Sequence, residues 1–141
     1  MKVLLDTPIW SFALRRRRGT LSAAERGLLA EWAALVRERR VLMVGPVRQE
    51  LLSGVREPAA FDRLRQVLRA FEDEPLGTED YEEAARCSNR CRAAGVAGSA
   101  IDFLLCAVAI RRDAAIFTTD GDFERYRHRL PIRLHAPRAL V

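Results

Sequence analysis

Three short apolar runs, Lys2 to Asp6, Val41 to Val44 and Ala114 to Thr118, are separated by longer stretches with apolar residues at helical spacing. This alternation restricts the chain more than any other feature. Short buried strands separated by amphipathic helices make an α/β fold with a mostly parallel sheet, because parallel neighbours need a crossover long enough to hold a helix. The helices are bounded by recognisable signals. One runs from Pro8 to about Arg16. Ser22-Ala23-Ala24-Glu25 is a capping box that opens a helix to about Arg39. Gly45-Pro46 starts a helix through Glu50 to about Gly54, and Glu57-Pro58 starts another to about Phe71. Thr78 is expected to cap a helix whose early acids suit the helix dipole, with Pro75 to Gly77 before it as a connector or strand. Ser99 caps the next helix, with Asp102 at its third position, and Asp120-Gly121-Asp122 turns into a short one. Ile132 to Leu134 reads as a last strand, followed by a polar tail.

The length of 141 residues points to a single domain, and a hydrophobic fraction of 49% is enough for a core. The longest apolar run, Phe103 to Ile110, is far short of the ~20 residues that cross a bilayer. Asp6 interrupts the apolar N-terminus, so no signal core is read there and the expectation is a cytoplasmic protein with no membrane partner. Cys87, Cys91 and Cys106 are an odd set with no disulfide pattern. Cys87 and Cys91, four apart, have no second Cys or His pair to complete a metal site and read as small apolar helix residues.

The connectivity makes a geometric statement about four acids. In a parallel sheet the C-terminal strand ends share one edge with the N-termini of the helices that follow, and ligands bind there. Asp6 ends the first strand, Glu50 lies near the start of the helix after the second, and Asp120 follows the third. Asp102 opens the helix that precedes the third strand and runs antiparallel to it, which returns Asp102 to the same edge. Each acid also has a plain reading. Asp102 can serve only Ser99 as a capping-box acid, Asp120 and Asp122 can be turn residues around Gly121, and Glu50 can be an exposed helix acid. Asp6, behind Val3-Leu4-Leu5, has little evident structural use. No arginine adjoins Asp6 or Asp102, and Lys2 is the only lysine. Clustered carboxylates repel one another, and the economical compensation is a hard divalent cation, Mg²⁺ or Mn²⁺, suited to phosphodiester hydrolysis.

The formal net charge is +5, and of 24 basic residues all but Lys2 are arginine, which permits a nucleic-acid partner. The clusters Arg15 to Arg18, Arg37 with Arg39 and Arg40, and Arg111 with Arg112 fall at helix ends, where solvated positive charge is favoured anyway. Some of these arginines are candidates for nucleic-acid phosphates or acidic groups of a protein partner. Trp10, Phe12 and Trp32 read as core, or as a surface for a partner helix.

The motifs together resemble the PIN-domain family, and within it the VapC-type toxins of toxin–antitoxin pairs. The resemblance spans nearly the whole chain. It rests on Val3-Leu4-Leu5-Asp6-Thr7, Val47-Arg48-Gln49-Glu50-Leu51-Leu52-Ser53-Gly54, Ser99-Ala100-Ile101-Asp102-Phe103-Leu104-Leu105-Cys106-Ala107 and Ile116-Phe117-Thr118-Thr119-Asp120-Gly121-Asp122-Phe123. It implies a single PIN-like domain over residues 1–141, a three-layer α/β/α sandwich, and a divalent-metal endoribonuclease. Asp6, Glu50, Asp102 and Asp120 carry over as catalytic metal ligands, Asp122 as an assisting ligand, and Thr7 and Thr118 as accessory hydroxyls. Pro8 stands where relatives often have Ser. The resemblance also implies an RNA substrate, a homodimer and a VapB-type antitoxin.

Other classes fit less well. A receiver domain needs a lysine after a late strand, and a haloacid-type phosphatase needs an acid at the position of Pro8. Neither Gly-x-Ser-x-Gly nor the Walker pattern occurs. The alternatives that remain are a non-catalytic PIN-like module that binds RNA or protein, and an RNA-processing or DNA nuclease without an antitoxin.

Overall fold

A computed structural model describes residues 1–15 and 19–138. Arg16, Arg17 and Arg18 of the first arginine cluster therefore lie outside the described residues. The elements run β1 (Val3–Leu5), α1 (Thr7–Leu14), α2 (Ala23–Arg37), β2 (Val41–Leu42), α3 (Gly45–Leu52), α4 (Pro58–Leu68), α5 (Thr78–Ala93), α6 (Ala100–Arg112), β3 (Ala115–Phe117) and α7 (Asp122–Arg127). The sheet order is β2-β1-β3, all parallel, with Val3 opposite both Val41 and Ala115.

The central strand is buried at every residue, from 0 to 1% exposure across Val3, Leu4 and Leu5. Consecutive strand residues point to opposite faces, so a strand buried throughout must be covered on both. Contacts among the helices supply the two covers. Helix α1 packs on α2 and α3, with α3 on α4, while α5 and α6 lie along each other and α6 meets β3. The result is the expected α/β/α arrangement. Trp10 of α1 is fully buried and meets Trp32 and Phe71 edge-on, with ring centroids 6.2 and 4.9 Å away. No helix among the described residues is long and apolar enough to cross a membrane.

Several local expectations change. The second strand shortens, because Val44 becomes the residue before α3, while Met43 keeps one parallel bridge to Asp73. That bridge lies ahead of the Pro75–Gly77 segment proposed as a strand, since Glu74 donates to the Met43 carbonyl at 2.8 Å. Ile132–Leu134 likewise contributes a single bridge, Ile116 to Leu134, between Pro131 and Pro137, which have no N–H to extend it. Gly77, not Thr78, is the residue before α5, and the Asp80 carboxylate accepts its N–H at 2.9 Å. The capping box at Ser22 forms as expected, with both reciprocal hydrogen bonds present.

Three polar locks were not legible in advance. Asp80, 3% exposed, is gripped by Arg111 at 2.8 Å and by two nitrogens of Arg112, while those arginines also reach Glu79 and Glu74. The lock ties the start of α5 to the end of α6, so Arg111 and Arg112 are structural groups rather than a free basic patch. Arg48 closes the end of α4, donating to the carbonyls of Leu68 and Phe71 and pairing with Asp73. Glu31 of α2 is 3% exposed and binds His135 and Arg138, which pins the polar tail against α2. The cysteines behave as apolar residues. All three are buried, and burial pushes the Cys87 thiol up to about 11.

Candidate active site

Asp6 leaves β1 with its N–H bonded to the Phe117 carbonyl at 2.9 Å, so the sheet itself fixes its position. It also has the structural use that the sequence did not reveal. It is the residue before α1, and its carboxylate accepts the Thr7 N–H at 2.9 Å. Its second oxygen accepts the Thr118 hydroxyl at 2.8 Å. The group is only 7% exposed. Burial raises its pKa, the two hydrogen bonds oppose that rise, and the charges of Asp102 and Glu50 add to it.

Thr118, just after β3, begins a relay. While its hydroxyl donates to Asp6, its oxygen accepts the Asp120 N–H at 2.9 Å, and the Asp120 carboxylate in turn accepts the Asp122 N–H at 2.9 Å. This is the turn chemistry expected around Gly121, but it does not exclude a further role. Each carboxylate oxygen has lone pairs to spare. Thr7 makes a second link, from its hydroxyl to Glu50 on α3 at 3.1 Å. Glu50 stands exposed on the rim, beside a hollow of about 260 Å³ lined by Pro46, Gln49, Ser53 and Ile101. The Thr7 hydroxyl thus touches Glu50, and the Thr118 hydroxyl touches Asp6.

Asp102 opens α6, where its N–H donates to the Ser99 hydroxyl at 3.1 Å. The capping expectation is met by its backbone. Its carboxylate instead accepts the hydroxyl of Tyr126 on α7 at 2.7 Å. Tyr126 was missed. Its sequence signal is a position four residues after Asp122, on one helix face, but its partner lies 24 residues away. Oxygens of Asp102, Asp120 and Asp122 all lie within 4.8 Å of one another. The charge of Glu50 reaches Asp6, yet both acids stand outside that tightest group.

Among the described residues, Asp6, Glu50, Asp102 and Asp120 form no ion pair with lysine or arginine. Asp122 alone has one, to Arg125 at 2.9 Å. Three carboxylates within a few ångströms, all hard oxygen donors, fit a divalent cation such as Mg²⁺, Mn²⁺ or Ca²⁺ and do not fit a soft metal.

The model of the PIN domain matches residues 3–129. The VapC ribonuclease Mb1587 of Mycobacterium bovis is 32% identical over 127 residues, covering 86% of this chain and 89% of that one. Ribonuclease VapC11 of Mycobacterium tuberculosis matches with the same identity and coverage. Among solved structures, FitAcB from Neisseria gonorrhoeae superposes with a TM-score of 0.75 at 18% identity, covering 96% of this chain and 97% of that one. VapBC2 from Rickettsia felis, bound to a DNA fragment from its promoter, gives 0.75 at 16%, covering 96% and 98%. At such identities the structural likeness speaks for the fold. With the family model spanning all four acids and the curated relatives matching along most of their length, the chain belongs to the PIN-domain family, in its VapC ribonuclease branch.

Proposed function

We propose that this protein is a divalent-metal-dependent endoribonuclease, the toxin of a VapBC-type pair, with Asp6, Glu50, Asp102 and Asp120 as its catalytic acids and Asp122 assisting. The observation that carries this reading is the uncompensated cluster. Asp102, Asp120 and Asp122 converge, the charges of Asp102 and Glu50 reach Asp6, and of these five acids four have no cationic partner among the described residues. Asp102, Asp120 and Asp122 would hold a divalent cation, Mg²⁺ or Mn²⁺, which when bound would supply Lewis-acid polarisation of the phosphodiester and a lowered pKa for an attacking water. The chain's own residues then have distinct tasks. Asp102, Asp120 and Asp122 provide the tight oxygen set. Asp6, buried, is oriented by Thr7 and Thr118 so that its carboxylate does not need to reorganise on binding. Glu50, exposed and tethered by Thr7, stands where solvent and substrate reach it.

Support for the antitoxin comes from a separate feature. A groove of about 470 Å³ runs between α1, α3 and α4, lined by Trp10, Leu14, Leu51, Leu64 and Val67 with Arg15 and Arg63 at its side. Its apolar floor and basic margin suit an amphipathic, acidic helix of a VapB-type partner. The homodimer belongs to this reading through the family.

Thermal unfolding in EDTA and in millimolar Mg²⁺ or Mn²⁺ tests the metal site without choosing an RNA. Wild type is expected to gain about 2.7 kcal/mol when the ion stands a hundredfold above its Kd, and Asp102→Asn to gain little. If neither protein responds, and wild type still fails to respond with RNA added, the nuclease reading gives way to a non-catalytic binding module. Asp122→Asn is expected to lower cleavage less than Asp102→Asn, because Arg125 already compensates the Asp122 charge. Equal losses in an initial-rate assay would make Asp122 a full ligand.

A further inference from the structure

Among the described residues, Tyr126 is the one hydroxyl that donates to a carboxylate of the tight group. It is fully buried, and its oxygen donates to Asp102 Oδ2 at 2.7 Å. The phenol carries the proton of this bond and the Asp102 carboxylate accepts it. The ring has no room to swing. Phe103 lies tilted against it with centroids 5.1 Å apart, and Phe123 meets it edge-on at 5.2 Å. Gly98 closes the remaining side. A methyl group there would fall 2.5 Å from the Tyr126 hydroxyl oxygen and 2.7 Å from the Phe103 ring. Gly98 is needed for this close approach and not for its backbone angle. It also precedes Ser99, whose hydroxyl accepts the Asp102 N–H. The backbone of Asp102 is thus held by Ser99 and its carboxylate by Tyr126.

Helix α7 makes this arrangement more than local. Asp122 is its first residue and Tyr126 lies one turn later on the same face. One short helix therefore carries an acid of the cluster and the brace of another acid, Asp102, that comes from α6.

We infer that Tyr126, seated against Gly98, is a positioning residue that sets the orientation of Asp102 and its spacing from Asp122, and thereby the grip of the site on a divalent cation. The inference rests on the metal-site reading given above. The hydroxyl occupies one oxygen of Asp102 and leaves the other for the ion. A neutral donor suits this task, because an arginine in the same place would cancel the charge that attracts the cation. Hydrogen-bond partners of metal ligands commonly contribute 10- to 100-fold in affinity.

The test is Mn²⁺ binding to the full chain, followed by loss of the free-ion electron paramagnetic resonance signal, for wild type, Tyr126→Phe, Gly98→Ala and Asp102→Asn. Melting in EDTA is measured alongside. Tyr126→Phe keeps the ring and its packing, so its melting in EDTA should stay close to that of wild type while the Mn²⁺ Kd rises roughly 10-fold or more. Gly98→Ala should raise Kd in the same direction by displacing the hydroxyl. In the Asp102→Asn background, Tyr126→Phe should add little further loss, because Tyr126 acts on the ion only through the Asp102 carboxylate, which that background lacks. Unchanged Mn²⁺ affinity in Tyr126→Phe, with wild type binding the ion, overturns the positioning role and leaves the metal site standing. A lower melting temperature with unchanged Kd does the same, by reducing Tyr126 to a packing residue. Failure of wild type itself to bind Mn²⁺, with and without added RNA, removes the site and the inference together.

Discussion

Asp102→Asn is expected to abolish RNA cleavage, by roughly 100-fold or more, while the protein remains folded. The magnitude follows from position. Residues that only support a ligand already contribute up to about 100-fold, and Asp102 belongs to the tight oxygen set itself. The fold survives for equally local reasons. The Ser99 cap uses the backbone N–H of Asp102 and not its carboxylate, and asparagine keeps an oxygen to accept the Tyr126 hydroxyl. Removing one negative charge from the cluster also relieves repulsion, so metal-free Asp102→Asn should melt no lower than wild type. Asp6→Asn should lose activity in the same way. Here too asparagine can accept the Thr7 N–H, so the cap on α1 is retained. The measurement is an initial rate against a mixed pool of transfer, ribosomal and messenger RNA, with circular dichroism on the same samples. Normal cleavage by either variant would show that the chemistry lies elsewhere.

The second large effect concerns stability. Asp80→Asn is expected to cost about 2 to 3 kcal/mol, roughly 10 °C in Tm for a chain of this size. Breaking a buried pair by removing one partner leaves the other charges uncompensated. The cost lies below that of a fully buried pair because Arg111 and Arg112 are partly exposed, with side chains 36% and 20% accessible, and keep Glu79 and Glu74 as partners. The pH dependence has a definite sign. Arg112 foremost, with the Gly77 N–H and Arg111, holds the Asp80 carboxyl far below the usual range against the cost of burial. A depressed folded pKa contributes stability that is fully present above the unfolded value, about 4, and is lost as pH falls below it. The gap in Tm between wild type and Asp80→Asn should therefore be widest from neutral pH down to about 5, then narrow as the solution is acidified. A constant gap would mean that Asp80 acts through shape and not charge. Cleavage at a permissive temperature should be retained, since the lock touches none of the five acids.

Much of this molecule follows from local patterns. The run Val3-Leu4-Leu5, with no polar residue to face solvent, can only be a strand covered on both sides. The capping signals at Ser22 and Ser99 are satisfied within three residues of themselves, so no distant part of the chain had to be known to place those helix starts. Parallel connectivity then brings Asp6, Glu50, Asp102 and Asp120 to one edge, because the polarity of strands and helices decides which ends meet. Thr7 and Thr118 were singled out by family resemblance alone, and their hydrogen bonds to Glu50 and Asp6 appear only in the folded chain.

What only the tertiary structure decided are pairings between side chains far apart in sequence. Arg111 and Arg112 have the same local pattern as any basic helix end, and only the approach of α5 to α6 turns them into the anchors of Asp80, about 30 residues earlier. Glu31 reads as a surface acid of an amphipathic helix until the tail brings His135 and Arg138 onto it from more than 100 residues away. Ile132–Leu134 has strand composition, yet prolines on both sides leave it a single bridge. Tyr126 reads as one more core aromatic, and its bond to Asp102 depends on the angle at which α7 crosses the start of α6. Apolar periodicity and capping are written over a few residues, because burial and backbone hydrogen bonding are short-ranged demands. The partner of a buried charge or hydroxyl is set by which surfaces meet when the layers close, and no single segment carries that information.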